Sequence, residues 1–271
     1  MNDSSNVTRY VKYFILIVII AALISIGYRV AANIRNSNFK YDTYNILVLS
    51  KDSYLVHLDK SAKKITVFKY EGATKFLQNK SRIVQSLLIE VPIDAVIESK
   101  NKDLEIDKNF LTFDTFSRLF FNKGDNKLDG VNKTDLLKIY FMSRGVSDND
   151  REESGDKIKN LKDFDNISYN NALYDNSIFD DKTSLQIINA TDINGLGTRV
   201  SEMLKNMGYN VVSVDTNNDQ KSSLKTRSSD TISFRRLWKI FDFPIKPSSS
   251  DSIADIILVI APNNNKLFEG L

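Results

Sequence analysis

Residues 189–215 read NATDINGLGTRVSEMLKNMGYNVVSVD, and their reading decides the fold of the C-terminal third of the chain. Gly195-x-Gly197 opens a helical pattern, a second apolar run follows, and Asp215 stands twenty residues after the first glycine. That arrangement invites a dinucleotide reading, with the pyrophosphate at the helix N-terminus and Asp215 on the ribose. Three features argue against it. Six residues, Asn189 to Asn194, separate the apolar run Leu185–Ile188 from the first glycine, where a phosphate-binding turn needs almost none. Val200 replaces the third glycine. Fewer than ninety residues follow Leu185, too few for a six-stranded doubly wound sheet.

A structural reading accounts for the same residues. Asn194 is expected to cap a helix whose start Gly195 and Gly197 allow to be tight. Leu196, Val200, Met203, Leu204 and Met207 fall on one helical face. Gly208 is placed to end the helix in left-handed geometry. Tyr209–Val214 then reads as a strand. Asp230 or Thr231 is expected to cap a second helix, with Phe234, Leu237, Trp238 and Phe241 on one face and Pro244 and Pro247 beyond it. Ala254–Ile260 is a final buried strand.

Upstream, Tyr44–Ser50, Tyr54–Asp59 and Ile65–Tyr70 read as strands, the first apolar on both faces and therefore central. Helical patterns follow at Ser81–Ile89, Phe110–Phe121 and Asn132–Arg144, with an extended run at Val91–Ile97 and Gly145 at a helix end. Residues 44–145 thus form one α/β unit, 146–182 a polar linker, 183–263 a second α/β unit and 264–271 a tail.

At the N-terminus, Tyr13–Tyr28 holds sixteen residues without a charge. A helix of that length spans about 24 Å, somewhat under a bilayer core of about 30 Å, although Val30–Ala32 extends the apolar length. A signal peptide cut after Val30-Ala31-Ala32 also fits. The long apolar run and Arg29 beside that site favour an uncleaved anchor. The fold class expected is therefore α/β, with an N-terminal transmembrane helix followed by two small α/β domains. It comprises a cytoplasmic tail at 1–12, an anchor at 13–32, a linker at 33–43, and residues 36–271 outside the cell.

Composition narrows the chemistry. The chain of 271 residues has 37 basic and 34 acidic side chains, a net charge of +3, no cysteine and one histidine. Disulfides, thiol catalysis and thiolate metal sites are excluded. A multi-histidine metal centre is excluded as well, and so small a positive excess speaks against nucleic acid as a partner. His57, between Val56 and Leu58, reads as a packed or surface histidine rather than a triad member. Asp125–Gly130 hints at a calcium loop, but Lys127 takes a ligand position, so it reads as a turn. Arg235, Arg236 and Lys239 beside Trp238 form a small basic patch, either a solvated helix face or a contact for anionic polymer or lipid headgroups. No metal and no cofactor is expected.

The stretch Ile187-Ile188-Asn189-Ala190-Thr191, Gly195-Leu196, Val200, Leu204, Gly208-Tyr209-Asn210-Val211-Val212 and the closing ADIILVIAP resembles the LytR C-terminal domain over roughly residues 183–263. That domain often follows a LytR-CpsA-Psr domain, whose members attach glycopolymers from lipid carriers to the cell wall. Residues 44–145 are similar to such a domain at Asn45–Ser50 with Asp52, at Leu55–Tyr70, and at Val91-Pro92-Ile93-Asp94. The family's arginines are missing: Lys69–Thr74 holds no Arg, and the loop between the first two strands is reduced to Lys51-Asp52-Ser53. Without guanidinium groups a pyrophosphate loses charge balance and bidentate contacts. The resemblance therefore implies a degenerate, non-enzymatic relative acting in cell-envelope assembly. Its expected partners are the membrane, peptidoglycan or wall glycopolymer, or another envelope protein. The polar turn Asn189, Thr191 and Asn194, with Arg199 on the helix, is the expected ligand surface. The alternatives are an active glycopolymer phosphotransferase of the same type, working through Asp52 with Arg82, and a nucleotide-binding domain.

Overall fold

The computed structural model of the chain describes residues 3–35, 37, 39–99, 104, 106–107, 109, 111–121, 126–169, 171–248 and 252–271. It opens with helix α1 (Asp3–Arg35). The expected membrane anchor is corrected here: among the described residues no helix is long and apolar enough to cross a membrane. The physical reason is length. Lys12 and Arg29 bracket the uncharged run inside α1, leaving about 24 Å of apolar helix against a core of about 30 Å. The fold is a mixed α/β fold with two sheets.

Strands β1 (Thr43–Leu49), β2 (Ser53–Asp59) and β3 (Lys64–Glu71) form an antiparallel meander. Lys63 takes a positive φ of 52° in the tight turn between the last two. Every residue of β1 is buried, because both faces of its sheet are covered. On one face Ile46, Val48, Val56 and Val67 pack with Phe116, Leu119, Leu136 and Ile139. On the other, Leu47, Leu49, Leu55 and Phe68 pack with Val84, Leu88, Phe164 and Tyr169. Helix α2 (Thr74–Leu77) adds Leu77 to the second cluster and α3 (Arg82–Leu88) supplies Val84 and Leu88, while α4 (Phe113–Phe120) and α5 (Lys133–Arg144) supply the helical side of the first. Each of the last three starts at a polar cap: Ser81, Thr112 and Asn132, the last in a capping box with Asp135. Gly145 ends α5 with a negative φ of −88° rather than in left-handed geometry.

Strands β4 (Ala95–Glu98) and β5 (Lys127–Asp129) extend the sheet on one side. Asp125 of the calcium-like segment and Phe110 of the expected helix lie outside the described residues. On the other side, residues 146–182 contribute strand β6 (Arg151–Lys157), parallel to β3. The sheet order is β5-β4-β1-β2-β3-β6. In the same segment Tyr169 donates to the Ile89 carbonyl at 2.6 Å and lies 3.0 Å from the Tyr70 hydroxyl, anchoring the chain before helix α6 (Asn176–Asp181).

The C-terminal unit runs β7 (Ser184–Asn189), α7 (Leu196–Asn206), β8 (Asn210–Thr216), β9 (Ser223–Thr226), α8 (Ile232–Phe241), β10 (Ile245–Pro247) and β11 (Ile256–Ile260). Its sheet order is β10-β9-β11-β7-β8, with only the β9–β11 pair antiparallel. Pro247 is tolerated because β10 is an edge strand. Leu87 and Ile83 of α3 join this unit's core beside Leu185, Ile187, Val200 and Leu204. One short helix therefore serves both sheets.

Candidate functional site

The turn after β7 is built by Asn189. Its Oδ1 accepts from the Thr191 backbone N–H at 3.1 Å and from the Thr191 hydroxyl at 2.7 Å, while its Nδ2 donates to the Ile193 carbonyl at 3.2 Å. The Thr191 hydroxyl accepts in turn from the Ile193 N–H at 3.2 Å. Asn189 is buried, and Asn194 is exposed. The helix cap is not Asn194, as the sequence led us to expect, but Gly195, in left-handed conformation with φ 75° and no side-chain cap bond. Gly197 answers the question its spacing raised. A Cβ there would stand 2.9 Å from Val214 Cγ1 and 3.3 Å from Asn189 Cβ. The glycine lets α7 press on the sheet, and the space a cofactor would need is filled by protein.

Arg199, on the next turn of α7, pairs with Asp165 at 3.1 Å. It thus bridges the C-terminal unit to the chain that packs on the first sheet. Glu90, close to this pair, has a positive φ of 53°. Burial pushes its carboxyl up to about 7, against the lowering influence of Arg199. The four residues expected to bind ligand therefore divide. Asn189 and Thr191 hold the turn, Arg199 joins two parts of the fold, and Asn194 faces solvent.

In the first unit, His57 is buried, and its Nδ1 lies 2.7 Å from Asn45 Oδ1. Burial holds its pKa down to about 4, so it is neutral. Buried in β2 and bonded to the Asn45 side chain, it serves packing. Asp52 pairs with Lys69 at 3.4 Å and accepts from the Gly72 N–H at 3.3 Å. Arg82 instead donates to the Asp94 carbonyl at 3.0 Å, so the two residues weighed as an alternative catalytic pair have separate partners.

The strongest polar constellation joins the two sheets. The Asp94 carboxylate is buried just before β4 and accepts from both terminal nitrogens of Arg236 on α8, each at 2.7 Å. It also accepts from the Asn45 N–H at 2.9 Å, and Lys239 Nζ lies 3.4 Å away. Burial would raise the Asp94 pKa, but Arg236 and Lys239 overcome it, and the group stays below the usual carboxylate range. The Arg236 guanidinium stands 4.6 Å from the Tyr41 ring centre, and Lys239 Nζ 5.0 Å. Arg236 is fully buried, which corrects the basic patch read from sequence: of its three cations, one is the core of a charge pair. The sequence held one unread signal, a lone Asp inside the apolar run VPIDAVI. A buried carboxylate needs a cation.

Above this pair opens a cleft of about 690 Å³, lined by Lys40, Tyr41, Arg82, Arg235, Trp238 and Lys239, among others. Such a volume falls in the range of small-molecule sites. Among the described residues no group of His, Cys, Asp or Glu could hold a metal ion.

Comparison with protein families matches residues 182–262 to the family described as LytR cell envelope-related transcriptional attenuator. Comparisons with curated proteins and with solved structures gave no match. The match covers β7 to β11 and agrees within one residue at each end with the bounds read from the sequence. The five-stranded unit of this chain thus matches the LytR C-terminal domain, a cell-envelope-related family.

Proposed function

We propose that the chain is a non-enzymatic protein of cell-envelope assembly, working on the outer side of the cytoplasmic membrane and binding wall polymer through its C-terminal unit. The observation that carries this reading is the family match over residues 182–262. The first unit, in this proposal, is a degenerate LytR-CpsA-Psr-like domain that has kept its scaffold and lost its pyrophosphate chemistry. Its loop Lys51-Asp52-Ser53 has no guanidinium to clamp a pyrophosphate, and Arg82 is engaged with a backbone carbonyl. The ligand surface proposed is the turn Asn189–Asn194 with Arg199. Asn194 offers the open polar group, and the bonded pair Asn189–Thr191 holds it in place.

The test is co-sedimentation of the full chain with isolated cell-wall material. Saturable binding that drops several-fold in Asn194→Ala and Arg199→Ala, with unchanged thermal stability of Asn194→Ala, supports the reading. Absence of saturable binding sinks it. A second reading, docking of a partner envelope protein, is favoured by one observation. Val212 and Val214 stand 47% and 42% exposed on β8, an edge strand. Charged substitution of these two valines would then abolish capture of the partner and leave sedimentation intact.

A further inference from the structure

A second pocket, of about 540 Å³, opens on the first sheet at the carboxyl ends of the parallel strands β1 and β4, where Leu49 and Glu98 are register partners. In open α/β sheets this end of parallel strands is where ligands settle. One wall of the pocket is the β4–β5 pair. Asp129 stands opposite Val96, and Lys127 opposite Glu98, so Glu98, Lys127 and Asp129 lie on one face of the sheet. The other wall is the start of α3, with Lys80, Arg82 and Gln85. Gln85 is only 3% exposed. Its Nε2 donates to the Leu77 carbonyl at 2.9 Å, which fixes the orientation of the amide. Its Oε1 is buried, and no donor among the described residues reaches it. A buried side-chain acceptor left open is uncommon, and this one belongs to a pocket wall. It calls for an N–H or O–H from the molecule that fills the pocket.

Charge specifies that donor. The lining carries three cations, Lys80, Arg82 and Lys127, and two carboxylates, Glu98 and Asp129. None of the five forms an ion pair among the described residues. The hydrogen bonds they make go to neutral groups: Lys80 donates to the Gly270 carbonyl, Arg82 donates to the Asp94 carbonyl at 3.0 Å, and Glu98 accepts from the Gln78 amide at 2.8 Å. Both signs of charge therefore stay open in one pocket. A purely anionic ligand would meet Glu98 and Asp129 without an answer to them. A divalent metal ion would meet two ammonium groups and a guanidinium. A ligand with one positive and one negative end complements both sets. Its ammonium also supplies the N–H that Gln85 Oε1 lacks, and its carboxylate is the natural partner of Arg and Lys. Leu49, Val96 and Leu128 add apolar contact for an aliphatic side chain. We propose that this pocket binds a free α-amino acid with an aliphatic side chain, its ammonium on Gln85 Oε1 and Asp129 and its carboxylate on Lys127 and Arg82. The site is independent of the polymer reading above, since it is built from the first sheet and α3.

The full chain is titrated calorimetrically with leucine, with isocaproate, which lacks the ammonium, and with isoamylamine, which lacks the carboxylate. Leucine is expected to bind saturably with a Kd at or below about 1 mM, and each analogue at least about tenfold more weakly. Lys127 and Asp129 are both exposed, so their substitution is expected to leave the thermal midpoint unchanged. In Lys127→Gln, leucine should bind no better than isoamylamine. In Asp129→Asn, leucine should bind no better than isocaproate. Lys221→Gln, exposed elsewhere, leaves leucine binding unaltered. Gln85→Met keeps the length of the side chain and removes the open acceptor, and it should weaken leucine at least about tenfold. Should that buried substitution prevent folding, the two exposed variants carry the test. No saturable binding of leucine, or parental affinity in both exposed variants, overturns the site. Isocaproate or isoamylamine binding to the parent as tightly as leucine overturns the two-ended ligand. Parental leucine affinity in a folded Gln85→Met protein overturns the place given to the ammonium.

Discussion

Gly195 and Gly197, two positions apart in the chain, answer to different physics. Gly195 adopts φ 75° with open space around its Cβ position, whereas Gly197 has ordinary backbone and a Cβ position already occupied by Val214 and Asn189. Gly195→Ala is therefore expected to cost about 1 kcal/mol, the price of left-handed geometry for an L-residue. Gly197→Ala, which drives a methyl into the helix–sheet contact, is expected to cost about 1–3 kcal/mol. Urea midpoints of the two variants check the order, and a Gly197→Ala protein as stable as the parent would contradict the close approach. Asn189 makes the third residue-scale case. Its side chain forms three bonds inside one turn, so Asn189→Ala should lower stability by about 1–3 kcal/mol through loss of buried partners. The sequence made the glycines and the polar turn visible as a group, and it pointed away from a nucleotide. What it did not yield was which residue caps the helix, because a Gly in left-handed geometry and an Asn one place earlier satisfy the same pattern. Nor did it reveal that Arg199 has a partner, since Asp165 lies in a different stretch of chain.

At the scale of elements, α8 shows why periodicity located the helix and misjudged its surface. Phe234, Leu237 and Phe241 are buried as the pattern required, but Arg236 goes inward with them to meet Asp94, a residue 142 positions away in the chain. A pattern of apolar and polar letters assigns Arg to solvent, and only the tertiary partner reverses that. Removing one member of such a pair leaves a buried charge alone, so Arg236→Met is expected to cost about 3–5 kcal/mol. Adding Asp94→Asn to it should recover a large part of the loss, because the second substitution removes the stranded carboxylate while keeping an acceptor for the Asn45 N–H. Thermal midpoints of the two singles and the double check this. A double variant no better than Arg236→Met would show that the pair supplies net attraction rather than mutual compensation. The meander β1–β3, helices α3, α4 and α5 and the strands β7, β8 and β11 were legible because the strands are apolar runs and the helices carry a strong period and polar caps. Strand β6 was not, since its residues Arg151–Lys157 are polar and largely exposed, and its pairing with β3 comes from backbone bonds that leave no hydrophobic signature.

The whole molecule is joined across its two sheets by α3, whose Leu87 belongs to the C-terminal core, by the pair Arg236–Asp94, and by Arg199–Asp165 with Glu90 nearby. Two titrating groups give this assembly opposite responses to pH. The folded protein keeps His57 neutral down to about 4, whereas in the unfolded chain it takes up a proton near its ordinary 6.5. Its contribution is fully present above 6.5 and is lost as pH falls toward 4, by about 3 kcal/mol at most. Glu90 works the other way. In the folded protein it holds its proton up to about 7, while the unfolded chain releases it near 4.5. Its contribution is present below 4.5 and is lost as pH rises through 7, reduced by its partial exposure to solvent. Between pH 4.5 and 6.5 the two slopes oppose, so the urea midpoint of the parent should change little. Glu90→Gln removes one slope, and its midpoint should climb steadily from pH 4.5 to 6.5. A Glu90→Gln profile parallel to the parent's would mean that Glu90 does not titrate at the junction. The same experiment, followed at once by Trp238 emission and by far-ultraviolet circular dichroism, tests whether the two sheets unfold together. Trp238 reports α8 alone and dichroism reports both sheets. Coincident transitions in the parent are expected from the shared α3 and the buried pair. In Arg236→Met the Trp238 transition should move to lower urea and separate from the dichroism curve, because the C-terminal unit then loses its strongest tie to the first sheet.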